Sequence, residues 1–98
     1  MNLLVFDFPG VTSGQYDQLC RRLNSGEPLQ TLDDFRRVGY EVMAHMAGPT
    51  PDGWRVIDVW TSDEALGRFR EKLMPLLDEL GIPRIAPQVM PLHNLVTK

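Results

Sequence analysis

From Leu3 to Phe8 the chain is apolar at nearly every position, the pattern of a strand covered on both faces. Past Ser13, which predicts an N-cap, Tyr16, Leu19, Cys20 and Leu23 recur at helical spacing, and Asn24-Ser25-Gly26 supplies a stop. Leu29, Leu32, Phe35 and Val38 then recur every three residues, with Thr31 ahead of Asp33 and Asp34, which predicts a short helical turn patching the edge of the core. Two β-rich runs, Tyr40 to Ala47 and Trp54 to Trp60, flank Thr50-Pro51-Asp52-Gly53. Proline presets one turn angle there and glycine tolerates the exit, so the two runs predict a hairpin.

The second long helix is the clearest element. Ser62 is its predicted N-cap with Asp63 and Glu64 in the first turn, and Ala65, Leu66, Phe69, Leu73, Leu76, Leu77 and Leu80 form one apolar stripe. Gly81 and Pro83 end it, and Pro75 predicts a kink within it. The last segment, Ile85 to Val96, reads as extended, and Pro87 and Pro91 confine it to a sheet edge or to a partner's surface.

The order strand, helix, strand, strand, helix, strand predicts an α+β, ferredoxin-like βαββαβ fold: a four-stranded antiparallel sheet with two main helices on one face. Strands one and three nevertheless carry large apolar residues at both parities: Leu3 and Val5 against Leu4, Phe6 and Phe8, and Trp54, Val56 and Trp60 against Ile57 and Val59. Four strands about 4.8 Å apart and about 20 Å long present roughly 400 Å² of sheet, as much as the largest apolar patch of a typical monomer. The sequence therefore predicts a homodimer in which two sheets pack face to face.

Composition narrows the functional classes. A chain of 98 residues predicts one domain spanning residues 1–98, able to bury about two-thirds of its unfolded surface. The net charge is −3 and the arginines are scattered without forming a basic stripe, so no nucleic-acid partner is expected. The N-terminus lacks a basic start and its apolar run is short, which predicts neither a signal peptide nor a membrane span and places the protein in the cytoplasm. A single cysteine, Cys20, gives no intramolecular disulfide framework and agrees with a reducing compartment. Met43, Met46, Met74 and Met90 read as packing residues.

Candidate chemistry concentrates on the hairpin. With Thr50 to Gly53 as a four-residue loop, Pro49 faces Trp54 and His45 falls opposite Asp58; a five-residue loop sets His45 opposite Ile57 instead and reverses its face. In the first register Asp58 holds the imidazole in one tautomer and His45 becomes a general base near neutral pH. The competing reading makes His45 a structural hydrogen-bonding group and Asp58 a structural partner for Arg55, Tyr40 or a backbone group. Trp54 and Trp60 share parity with Asp58 and either line an aromatic pocket for a flat ligand, with Tyr40 near by, or pack the core or a dimer contact. His93 and Asn94 form a second polar island, read as a substrate-binding contribution reaching across a dimer or as a solvent-facing tail. Two histidines 48 positions apart, without clustered cysteines or acids, predict no metal site, and no phosphate loop, dinucleotide fingerprint or nucleophile elbow occurs.

The stretch His45-Met46-Ala47-Gly48-Pro49, the run from Asp52 to Leu66, the helix reaching Pro75 and Pro91-Leu92-His93-Asn94 resemble the dimeric α/β-barrel superfamily, in particular small antibiotic biosynthesis monooxygenase-like proteins. The resemblance covers roughly residues 40–96 and, weakly, the start. It implies a dimeric α/β barrel and a small hydrophobic or aromatic ligand held between sheet and helices. It also implies cofactor-independent oxygenation, with oxygen reacting directly with a carbanion formed when His45, assisted by Asp58, removes a proton. Haem-degrading members carry a proximal histidine on the second helix, and Ser62 to Leu80 contains none, so no cofactor is expected. A fold hosts many functions, and the alternative is a non-catalytic ligand-binding or structural dimerisation module.

Overall fold

The computed structural model describes residues 1–97. The chain runs β1 (Asn2–Pro9), α1 (Ser13–Leu23), α2 (Leu32–Arg37), β2 (Val42–Thr50), β3 (Gly53–Trp60), α3 (Asp63–Glu79) and β4 (Gln88–Pro91). The strands form one antiparallel sheet in the order β2-β3-β1-β4, an α+β arrangement consistent with a ferredoxin-like fold. Among the described residues no helix is long and apolar enough to cross a membrane.

Local chemistry explains the helix starts. The N-cap of α1 is Thr12, not Ser13: the Thr12 hydroxyl accepts from the Gln15 backbone N–H, and the Gln15 side chain accepts from the Thr12 N–H. Thr fits this place because Gln lies three positions on, completing a reciprocal capping box that Ser13 cannot make. Thr31 and Asp34 repeat the device at α2, and Ser62 accepts from the Ala65 N–H at α3. Pro75 lies inside an unbroken α3. An interior proline costs about 3 kcal/mol, and burial of Leu73 and Leu77 on either side, each contributing about 1.5–3 kcal/mol, offsets it.

The hairpin is tighter than the sequence suggested. Thr50 pairs with Gly53, so only Pro51 and Asp52 turn, and Pro49 still faces Trp54. Gly53 is required by space: a Cβ there would lie 2.1 Å from the Phe8 carbonyl oxygen and 2.8 Å from the Gly10 nitrogen. β2 begins at Val42 and not at Tyr40, and its pairing slips by one between Val42 and Ala44, making Met43 a bulge.

Register and alternation divide the sheet into two faces. Leu4, Phe6 and Phe8 of β1, Trp54, Val56 and Trp60 of β3 and Val42 of β2 meet the helices in one core, completed by Leu19 and Leu23 of α1, Phe35 of α2 and Leu73 and Leu77 of α3. The outer face carries Leu3 and Val5, Ile57 and Val59, Ala44 and Met46, and Met90, with an ion pair of Asp7 and Arg55 at one end. Met46 is 54% exposed and Met90 39% exposed. Of the segment from Ile85 to Val96 only β4 pairs as a strand, and it lies on the sheet edge, the first of the two places that Pro87 and Pro91 allowed.

Candidate functional site

The hairpin register sets His45 of β2 directly opposite Asp58 of β3, both on the side facing the helices. Asp58 is 5% exposed, and its Oδ1 lies 2.5 Å from His45 Nδ1. Arg55, one of its alternative partners, is turned to the outer face, where its guanidinium grips both carboxylate oxygens of Asp7 at 2.7 and 3.2 Å.

The other imidazole nitrogen is also engaged. Capping at Thr12 fixes the phase of α1, and Tyr16, in the first turn, points its hydroxyl at His45 Nε2, 2.5 Å away. A carboxylate only accepts, so in the neutral imidazole the proton sits on Nδ1 and the Nε2 lone pair receives the phenol O–H. Burial raises the Tyr16 pKa well above its ordinary value of 10.0, and the neighbouring Cys20 thiol and Asp58 carboxylate push the same way. The phenol therefore keeps its proton and acts as the donor. Burial also raises the Cys20 pKa, which keeps it a thiol and removes it as a nucleophile.

Aromatic rings fix this chain in place. The Phe35 ring centroid lies 5.0 Å from that of His45, and the Trp54 ring lies 5.2 Å from that of Tyr16. Offset and tilted rings at such spacing pack favourably and leave the imidazole little freedom to turn.

Tyr16, His45 and Asp58 line a cavity of about 70 Å³ between the sheet and the three helices. Its wall is otherwise almost wholly apolar, with Phe6 and Phe8 from β1, Leu19 and Leu23 from α1, and Phe69, Leu73 and Met74 from α3. Trp54 and Trp60 line it too, and the indole Nε1 of each is buried without a hydrogen-bond partner. A buried, unpaired donor costs about 1–3 kcal/mol, so two at one cavity are a marked departure from the usual satisfaction of buried polar groups.

The other sequence-selected residues lie elsewhere. Tyr40 is buried in the core against Phe69, with Lys72 Nζ 5.4 Å from its ring centre, and does not line the cavity. His93 and Asn94 are exposed beyond β4 and do not line it either. Tyr16 is the group that sequence reasoning missed, since its spacing places it on the apolar stripe of the first helix. A signal for it exists: a tyrosine on a core-facing stripe needs a partner for its hydroxyl, and His45 is the enclosed side chain with a second nitrogen to offer.

Among the described residues no three His, Cys, Asp or Glu side chains gather to hold a metal ion. Compared with known proteins, the chain matches no family model, no curated protein and no solved structure.

Proposed function

We propose that the protein binds a small aromatic or otherwise hydrophobic molecule in the cavity between sheet and helices, and that Asp58, His45 and Tyr16 act on it as a proton relay. The supporting observation is the unbroken hydrogen-bonded chain of these three residues ending at an apolar cavity. A buried carboxylate with a half-buried imidazole and phenol is an expensive set to maintain in an apolar surrounding, and their mutual bonding explains how it is tolerated.

In this reading Tyr16 is the group that meets the ligand. An acidic ligand proton passes to the Tyr16 oxygen as the Tyr16 proton passes to His45 Nε2, and Asp58 stabilises the resulting imidazolium. In the monooxygenase-like version suggested by the sequence resemblance, the carbanion so formed is oxidised by dioxygen. A ring CH2 becomes C=O, one oxygen atom staying on the carbon and the other leaving as water. At about 70 Å³ the cavity is about half the roughly 150 Å³ of an engineered apolar cavity that admits benzene, so even a single ring requires its lining side chains to move apart and a polycycle is a poorer fit still.

The same reading includes a second copy of the chain. The outer face is mainly apolar, with Asp7 and Arg55 at one end and Gln88 on the edge strand, and a partner sheet laid on it gives the dimeric α/β barrel of the resembled superfamily. His93 and Asn94, exposed beyond the edge strand, are then placed near a partner.

Oxygen uptake with single-ring quinols tests the relay. Wild-type turnover lost in Tyr16→Phe and Asp58→Asn, with both variants folded, supports it; equal uptake in all three rejects it as the base. Saturable binding without turnover supports the second reading, a ligand-binding module, which is favoured by the fact that Tyr16 already occupies the lone pair of His45.

A further inference from the structure

The chain holds eight arginines, and seven of them donate hydrogen bonds within the protein. Arg21 reaches the Gly26 carbonyl, and Arg22, Arg36, Arg37, Arg55, Arg68 and Arg84 each hold a carboxylate. Arg70 alone has no hydrogen bond or ion pair among the described residues, and Arg70 alone among the arginines lines the cavity.

The sequence explains why it is unpaired. At three and four positions to either side on α3 stand Leu66, Gly67, Leu73 and Met74, so no acidic neighbour is within helical reach. Its neighbour Arg68, by contrast, holds Glu41 of the segment before β2. Arg70 is exposed while forming part of the cavity wall, so its stem covers apolar surface and its head stands at the boundary with solvent. The one carboxylate in the wall, Asp58, is bound to His45 and lies buried under it. The cavity thus offers a single uncommitted cation at its solvent side and none of the negative charge that would pair with it.

Resting on the pocket reading above, we infer that the ligand is an aromatic carboxylic acid whose ring enters the cavity and whose carboxylate is held at the mouth by Arg70. A planar guanidinium matches a carboxylate with two parallel N–H bonds. A phosphate ester is the poorer match, because a dianion calls for several donors and no second cation lines the wall. Carboxylate and ring are then sorted by position: charge stays at the wet rim, and only the ring is desolvated.

The test measures binding of 2-, 3- and 4-hydroxybenzoate and of the three matching hydroxybenzamides to the wild-type protein, Arg70→Gln and Arg70→Lys by calorimetry at low and high salt. At least one acid should bind wild type about tenfold or more tightly than its amide. Arg70→Gln should erase that preference while leaving amide affinity unchanged, and Arg70→Lys should restore only part of it. The acid preference should shrink as salt rises. Equal binding of acid and amide to wild type, or a preference that survives in Arg70→Gln, overturns the carboxylate assignment and leaves the pocket reading standing. If no acid or amide binds any of the three proteins at millimolar concentration, the pocket reading fails as well. Arg70 is exposed and unpaired, so its variants should keep the wild-type circular dichroism and melting temperature.

Discussion

His45 on β2 and Asp58 on β3 face each other across the hairpin, and their side chains meet at 2.5 Å beneath the helices. Asp58 is nearly inaccessible, so the His45 imidazole takes the place of water as its hydrogen-bonding partner. Removing one partner of a buried pair costs about 3–5 kcal/mol, because the other is left desolvated and unpaired. His45→Ala is therefore expected to lower unfolding free energy by about that amount in urea titration. Replacing both by leucine should recover most of the loss, since neither then carries charge. A double replacement as unstable as the single one would show that the pair stabilises by its own attraction and not through the penalty of breaking it.

Tyr16 makes stability depend on alkaline pH. Its folded pKa is raised, chiefly by burial, above its ordinary 10.0. A group with a raised folded pKa gives its full contribution below the unfolded pKa and loses it as pH rises toward the folded one. Between pH 10 and 12 the unfolded chain sheds this proton while the folded chain keeps it, so stability falls. Burial also raises Cys20 from its ordinary 9.0 and Tyr40 from 10.0, so they add to the same slope, with Cys20 acting from a lower pH. Tyr16→Phe should flatten the decline above pH 10 without abolishing it, read from chemical denaturation at a series of pH values. An unchanged slope would mean that Tyr16 titrates alike in both states.

Gly53 owes its place to a neighbouring strand. The Phe8 carbonyl oxygen stands 2.1 Å from where a Cβ would be, and it belongs to sheet backbone that cannot step aside cheaply. Gly53→Ala is expected to destabilise by more than the roughly 1 kcal/mol that separates Gly from Ala on propensity, and in the opposite direction to propensity. Thermal melting alongside Gly67→Ala provides the comparison: Gly67 is an exposed helical glycine, and a methyl group added there meets nothing within 4 Å, so that change should raise the melting temperature.

Much of this could be read before any coordinates because the decisive signals are local. The alternation from Trp54 to Trp60 gives the parity of β3, and the pairing of Pro49 with Trp54, one of the two registers the sequence allowed, sets His45 opposite Asp58. Shortening the turn from four residues to two changed neither partner, because it moved both strands by equal steps. Tyr16 was not readable in this way. Its hydroxyl meets a residue 29 positions away, at a place set by helix phase and by how α1 docks on the sheet. The phase itself hinged on Thr12 winning the cap over Ser13, a choice decided by Gln15 and not by the type of either hydroxyl residue. Tyr40 shows the converse: expected beside the pocket, it lies before the strand's true start and packs against Phe69 and Lys72 instead.

The outer sheet face provides the last prediction. Ile57 and Val59 on β3 stand between Leu3 and Val5 on β1 and Ala44 and Met46 on β2, so the middle of that face is apolar across three strands. Its polar groups are Asp7 and Arg55 at one end, where the guanidinium holds the carboxyl below its ordinary pKa, and Gln88 on the edge strand opposite Val5. Apolar surface of this kind favours a self-complementary contact, and about 25 cal/mol is gained for each Å² removed from water. Wild-type protein should scatter light as a dimer at micromolar concentration. Ile57→Lys, which places a charge at the centre of the face, should give a folded monomer, whereas Arg55→Lys at the rim should leave the dimer intact. A monodisperse wild-type monomer would reject the second copy and leave the hydrogen bonds linking Tyr16, His45 and Asp58 untouched, since all three residues belong to one chain.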